Sequence, residues 1–143
     1  MILPLDIVYR LLLATLLAGL IGMERESKHR PAGLRTNTLV GLGSCLIVLL
    51  SLESGTLGAV DPTRIAAGVV TGIGFLGAGL ILREHHNELQ GITTAATVWV
   101  VSAIGMAVGF GFYFHAIVTT LIVLGVLYIF GNEKIRKIFR LDN

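Results

Sequence analysis

The chain has 143 residues, of which 54% are hydrophobic and only 14% are charged, and its net charge is +2. Its mean hydropathy is +0.82. A soluble domain carries about 25% charged residues, and a small domain needs them to cover a large relative surface. The composition therefore excludes an ordinary water-soluble domain and favours a membrane protein. The single cysteine excludes a disulfide within the chain. The small net charge gives no sign of nucleic-acid binding.

Stretches without Asp, Glu, Lys or Arg define the predicted helices, since a membrane-crossing helix needs about 20 mostly apolar residues. The stretch 89–132 is too long for one span, and Gly105, Gly109 and Gly111 mark the expected turn within it. The sequence predicts an all-α integral membrane protein with five transmembrane helices. They cover about residues 5–23, 36–53, 64–82, 91–109 and 113–131, and a short basic tail follows at 132–143.

The basic residues predict the orientation. One cluster follows helix 1 (Arg25, Lys28, Arg30 and Arg35), and a second lies in the tail (Lys134, Arg136, Lys137 and Arg140). Lys and Arg accumulate in cytoplasmic segments. Four spans separate the two clusters, so both can lie inside. We therefore expect the N-terminus outside and the C-terminus in the cytoplasm.

Four charged residues are expected near the outer rim. Asp6 and Arg10 are spaced for an ion pair on one helical face. Asp61 fits the N-cap of helix 3, with Pro62 in the first turn, and Arg64 follows at an end where the helix dipole disfavours a cation. We predict a mixed-charge cluster that binds a cation or bridges helices; a solvated ion pair is the alternative.

The segment 24–37, predicted as the inner loop, carries charges of both signs. Glu24 and Glu26 are each expected to meet an arginine, and Arg30, Arg35 and Arg83 to converge on the inner face. Guanidinium groups suit phosphate, so the segment is a candidate site for an anion, a lipid or a partner. A salt-bridge network joining helices 1, 2 and 3 is the alternative. The residues of this motif are Glu24, Arg25, Glu26, Arg30, Arg35, Asn37 and Arg83.

Helix 3 carries a face of small residues: Gly68, Gly72, Gly74, Gly77 and Gly79. In lipid, small residues permit helices to approach closely. The glycines are expected to pack inside one protomer, to form a contact between protomers, or to line a polar path. Helix 4 then begins with Thr93 and Thr94, whose hydroxyls can bond to backbone carbonyls or across helices.

No sequence motif of an enzyme is present, and we expect no catalytic activity. His85 and His86 lie between Glu84 and Glu88, but adjacent histidines are poorly placed to share one metal ion. Carboxylates can attract Mg²⁺, which prefers oxygen ligands, yet no acidic run is dense enough to form a ligand motif. We therefore predict no cofactor.

Five blocks in order resemble the MgtC/SapB family of bacterial inner-membrane proteins. The blocks are residues 21–26, 30–37, 61–65, 72–79 and 91–96. Asp6 and Arg10 also match polar positions at the start of the family's first helix, whereas Asn37 stands where many members carry histidine. The resemblance implies five spans with the N-terminus outside. Longer members append an ACT-like C-terminal domain, so we expect this chain to be a short form without it.

The resemblance also implies a function in magnesium homeostasis and adaptation to low magnesium. Members of this family are linked to the regulation of other membrane machinery, including the ATP synthase. Our leading hypothesis is a non-enzymatic regulator, and the alternative is a small oligomeric cation conduit. The expected partners are membrane lipids, further copies of the chain, and inner-membrane proteins such as ATP synthase subunits or small regulatory membrane peptides.

Overall fold

The computed structural model describes residues 3–55, 61–83 and 89–131. In these ranges the chain forms five helices: α1 (Pro4–Ser27), α2 (Leu34–Gly55), α3 (Pro62–Leu80), α4 (Ile92–Gly109) and α5 (Tyr113–Phe130). Each is long and apolar enough to cross a membrane. This confirms the prediction of five spanning helices. The predicted tail at 132–143 lies outside the described residues.

The charged segment after helix 1 is more helical than predicted. α1 continues to Ser27, so Glu24 and Glu26 lie on its last turn, and α2 begins at Leu34 rather than near residue 36. Glu and Arg are good helix formers, which lets the helix extend past its apolar stretch. Only residues 28–33 form the connection. His29 and Ala32 there adopt left-handed backbone conformations, with φ values of 52° and 54°, which end the helical path.

A short antiparallel pairing joins α3 to α4. Strand β1 (Leu82–Arg83) pairs with β2 (Leu89–Gln90). α3 consequently ends at Leu80, two residues before the predicted boundary at 82. Gly91 then caps α4 with φ of 89°, and a Cβ at this position would overlap the Leu80 carbonyl oxygen. Glycine is therefore needed where the ladder turns into α4.

α4 lies at the centre of the bundle and contacts each of the other four helices. Val98, Val101, Ile104 and Val108 are almost completely buried along it. Half of the residues in its apolar span are buried, against 17% of those in the spans of α3 and α5. These two helices therefore lie at the periphery, with most of their apolar surface available to lipid.

Gly105 and Gly109 hold α4 against α2, and this corrects the prediction that they mark a turn. A Cβ at Gly105 would overlap the backbone of Gly41, and one at Gly109 would lie 2.7 Å from the Val48 Cβ. Close helix approach in lipid depends on such small residues. Of the three predicted turn glycines, only Gly111 lies in the turn, with φ of 85°.

The bundle has two ends, which we name by a residue at each. The Asp6 end contains the start of α1, the end of α4 and the start of α5, because Arg10 bonds to Gly109 and Tyr113 bonds to Asp6. The Arg25 end contains the end of α1, the start of α4 and the end of α5, which together line one cavity. Polar side chains concentrate at both ends.

Candidate polar sites at the two ends of the bundle

At the Asp6 end, the predicted ion pair is present. Arg10 Nη2 lies 2.6 Å from Asp6 Oδ2, and Arg10 Nη1 donates a hydrogen bond of 2.7 Å to the Gly109 carbonyl. The Tyr113 hydroxyl donates to Asp6 Oδ1 at 3.3 Å, and the Arg10 guanidinium lies 5.8 Å from the Tyr113 ring centroid. The pair therefore joins the start of α1 to the end of α4 and the start of α5.

This geometry suits a structural connection between helices. The last carbonyls of a helix lack partners within it, and they carry partial negative charge. Arg10 supplies one of these carbonyls with a charged donor, and Asp6 neutralises the guanidinium. The side chain of Arg10 is only 15% exposed. Because an unpaired charge is costly away from water, the ion pair with Asp6 stabilises the guanidinium in this position.

Asp61 and Arg64 do not join this pair through any hydrogen bond or ion pair in the described ranges. Asp61 caps α3, as predicted: its Oδ1 accepts from the Thr63 amide at 2.9 Å and from the Thr63 hydroxyl at 2.7 Å. These two bonds lower the pKa of the Asp61 carboxyl below its usual value. Arg64 is exposed on the first turn of α3. The structure thus brings together Asp6 and Arg10, and leaves Asp61 to stabilise its own helix.

At the Arg25 end, the two glutamates have different partners. Glu24 Oε2 accepts from Arg25 Nε at 2.6 Å, as predicted. Glu26 was expected to meet an arginine, but its Oε2 accepts from the Leu34 amide at 2.7 Å. A carboxylate from the end of α1 thus caps the start of α2, where free amides favour an anion. A Cβ at Gly33 would lie 2.7 Å from this same oxygen, which favours glycine there.

Asn37 fixes the same connection from inside. It is fully buried, and its Nδ2 donates to the carbonyls of Ala32 and Gly33. A Cβ added to Gly22 on α1 would lie 3.2 Å from the Asn37 Cβ, so the two helices touch here. Asn37 therefore organises the turn between α1 and α2. This part of the charged motif forms a network between helices.

A cavity of about 610 Å³ opens beside this connection. Arg25 and Arg30 line it, together with Lys28, Thr93 and Thr94. Sequence reasoning did not select Lys28 as a site residue, although it lies one helical turn after Glu24. Arg35 is exposed on α2 and does not line the cavity; Arg83 is placed on β1, and its side chain lies outside the described set. Of the three arginines predicted to converge, Arg30 lines this cavity and Arg35 does not.

The α3 glycines divide into two groups. Gly77 is buried, and a Cβ there would lie 3.7 Å from the Ala95 Cβ on α4. Added Cβ atoms at Gly68, Gly72, Gly74 and Gly79 would meet nothing within 4 Å. Gly68 and Gly72 line an open apolar groove of about 660 Å³ between α2 and α3. Of these five α3 glycines, Gly77 is thus the one that packs against another helix within the described ranges.

The described residues contain no group of three or more His, Cys, Asp or Glu side chains arranged to hold a metal ion. Two carboxylates among the described residues, those of Asp6 and Glu24, form ion pairs with Arg10 and Arg25. Each ion pair involves one carboxylate oxygen, Oδ2 of Asp6 and Oε2 of Glu24.

The chain matches the profile of the MgtC family over residues 11–134. It is 46% identical to the Escherichia coli K12 protein named "Putative magnesium transporter YhiD", over 92% of this chain and 63% of that protein. It is 50% identical to protein MgtC of Brucella abortus strain 2308, over 79% of this chain and 46% of that protein. It is 37% identical to protein SapB of Bacillus subtilis strain 168, over 83% of this chain and 54% of that protein.

The chain spans about half to two thirds of the length of these relatives. No solved structure matches it significantly. The family match covers most of the chain, including α1 from residue 11 onward and all of α2 to α5. The five spanning helices and this match make it a multi-pass membrane protein. The chain belongs to the MgtC family.

Proposed function

We propose that this chain is a non-enzymatic protein of the bacterial inner membrane that supports magnesium homeostasis and adaptation to low magnesium. The match to the MgtC family over residues 11–134 is the observation that carries this proposal. The name of the YhiD relative points to the same ion. In this proposal the chain regulates other membrane proteins.

The packing of the helices supports regulation by a helix face. The centre of the bundle is filled by closely packed apolar and small side chains, such as Ala18 against Gly41 and Gly105 against Gly41. The open glycines of α3 lie at the periphery instead, where a second helix can approach closely. We propose that this face contacts another copy of the chain or a partner membrane protein.

The proposed orientation places the Asp6 end outside and the Arg25 end in the cytoplasm. The Arg25 end carries Arg25, Lys28, Arg30 and Arg35, whereas the described residues of the Asp6 end carry Arg10 and Arg64. This excess of basic residues at one end is typical of the cytoplasmic side.

Growth at limiting magnesium tests the proposed function. The full chain is expressed in a bacterium that lacks its own MgtC-family protein, and purified chain is placed in liposomes that contain a magnesium-sensitive dye. We expect restored growth without magnesium entry into the liposomes. Failure to restore growth would contradict the role in homeostasis. Magnesium entry that is lost in Asp6→Asn would contradict the proposed regulator and favour a cation conduit.

A matched pair of variants tests the α3 face. Gly72 and Gly125 are both helical glycines with open space around them, but only Gly72 lies on the glycine face of α3. We expect Gly72→Leu to abolish growth support and Gly125→Leu to retain it. Equal growth of both variants would contradict a function of this face.

A further inference from the structure

The cavity at the Arg25 end is lined by cationic side chains, by threonine hydroxyls and by the start of a helix, and each of these can bind an anion. It lies between the end of α1, the start of α4 and the end of α5. Its polar side is formed by Arg25, Lys28, Arg30, Thr93 and Thr94. In the described part of the chain, none of these side chains makes a hydrogen bond or ion pair between α1 and α2; the bond from Arg25 to Glu24 lies within α1.

The first residues of α4 line this cavity. Gly91 is the N-cap and supplies no side-chain bond to the first turn. The first intrahelical bond runs from the Ala95 amide to the Gly91 carbonyl, which leaves the amides of residues 92–94 without an intrahelical acceptor. A helix start of this kind favours a phosphate-like anion, because its amides and its dipole both attract negative charge.

Two buried side chains lining the cavity independently indicate a ligand. Arg25 is 5% exposed, and the partner that the described residues give it is Glu24, through Nε alone. No hydrogen bond joins its two terminal nitrogens to an acceptor among the described residues, so they are available to a group bound in the cavity. Thr94 is 4% exposed and its hydroxyl also has no partner in the same set. The terminal guanidinium fork fits two phosphate oxygens.

The balance of charge favours an anion over a cation. Glu24 lines the cavity too, but Arg25, Lys28 and Arg30 outnumber it. The lining also has an apolar part, which includes Val126 and Phe130 on α5, and both are about half exposed. A phosphate bound to the polar wall therefore has an apolar surface beside it, on which acyl chains can lie.

We propose that this cavity binds a phosphate group, carried by a lipid headgroup or by a free phosphate. The Arg25 fork, the α4 amides and the Thr94 hydroxyl hold its oxygens, and Lys28 adds charge at the mouth. This proposal does not depend on the function in magnesium homeostasis.

The two sources are separated by two measurements on the full chain in a maltoside detergent. The first follows the thermal unfolding midpoint as inorganic phosphate replaces chloride at constant ionic strength. The second uses native mass spectrometry to count dioleoylphosphatidylglycerol retained by the protein, with dioleoylglycerol, which lacks the phosphate, as the matched lipid. A rising midpoint supports free phosphate, and selective retention of phosphatidylglycerol supports the headgroup.

Variants link either result to the cavity. Thr94→Val is nearly isosteric, and we expect it to weaken the binding by about tenfold, as loss of one bond to a charged group does. Lys28→Gln, at an exposed position, is expected to weaken binding without disturbing the fold. Arg35→Gln is the control, because Arg35 lies at the same end but outside the cavity. Glu24→Gln is expected to strengthen binding, since it removes a negative charge from the lining.

Three results would overturn the proposal. The first is that neither inorganic phosphate nor phosphatidylglycerol binds in preference to its control. The second is that Arg35→Gln weakens the binding as much as Thr94→Val does. The third is that magnesium chloride alone raises the unfolding midpoint and Glu24→Gln abolishes that rise, which would make the cavity a cation site.

Discussion

Arg10 on α1 donates a hydrogen bond of 2.7 Å to the carbonyl of Gly109, the last residue of α4, across 99 residues of sequence. Asp6 holds the other terminal nitrogen at 2.6 Å. A charged residue within a membrane-spanning helix therefore acts here as the C-terminal cap of a neighbouring helix. The same bond fixes the turn that leads into α5.

Replacement of Arg10 should destabilise the bundle. Arg10→Met keeps the length of the side chain but removes both the ion pair and the bond to Gly109, so the free energy of unfolding should fall by about 2 kcal/mol. Titration with a denaturing detergent, followed by fluorescence of the single Trp99, measures this change. Arg64→Met is the control, because Arg64 is exposed and has no ion pair in the described part of the chain. Equal losses in both variants would contradict the capping role.

A methyl group at Gly105 should separate α4 from α2. A Cβ there would overlap the backbone of Gly41, so Gly105→Ala is expected to lower the free energy of unfolding by about 2–3 kcal/mol. Gly125→Ala adds the same methyl group in a helix where it meets nothing within 4 Å. That control should be neutral or stabilising, because alanine favours helix more than glycine does. Similar stability of the two variants would show that α2 and α4 are not in close contact.

A negative charge at Asn37 should disrupt the turn between α1 and α2. Asn37→Asp replaces the Nδ2 donor, which binds the carbonyls of Ala32 and Gly33, with a buried acceptor. We expect a loss of about 3 kcal/mol in the free energy of unfolding. Thr36→Asp adds the same charge one residue earlier at an exposed position near the start of α2, where the helix dipole favours it. A loss in Thr36→Asp that matches Asn37→Asp would refute the specific role of Asn37.

Leucine at two α3 glycines should have two different effects. A Cβ added at Gly77 would lie 3.7 Å from the Ala95 Cβ on α4. The larger side chain of Gly77→Leu should therefore destabilise the protomer itself. Gly72 faces open space, so Gly72→Leu should leave the protomer stable and reduce its association with other helices. Light scattering in detergent, combined with the unfolding titration, separates these effects. Unchanged association in Gly72→Leu would remove the proposed contact from this face.

The five helices were predictable because apolar length alone defines a membrane span. The i, i+4 pairing of Asp6 with Arg10 and the capping by Asp61 were also predictable, since both depend on short sequence spacing. The extension of α1 to Ser27 was not predicted. Charged residues mark the end of an apolar span, but Glu and Arg are good helix formers, so the helix itself can continue past that point.

The contacts between distant helices were not predictable in this way. The sequence predicts a turn at Gly105 and Gly109, although they fit the surface of α2, and it does not show which of the α3 glycines packs inside the protomer. Which glycine meets a neighbour depends on how each helix is rotated in the bundle. Tyr113 contacts Asp6, and Lys28 lines the cavity at the Arg25 end. Both contacts depend on how the helices pack, and no local sequence pattern predicts them.

The most direct test of this account is the side of the membrane on which each end of the bundle lies. Single cysteines are introduced at His29, in the connection after α1, and at Phe112, in the turn before α5, with Cys45→Ser as the background. A membrane-impermeant thiol reagent is applied to spheroplasts before and after permeabilisation. We predict that Phe112→Cys reacts before permeabilisation and His29→Cys only after it. Reaction of both cysteines from the same side, or the reverse order, would contradict the proposed five-span arrangement with its basic end in the cytoplasm.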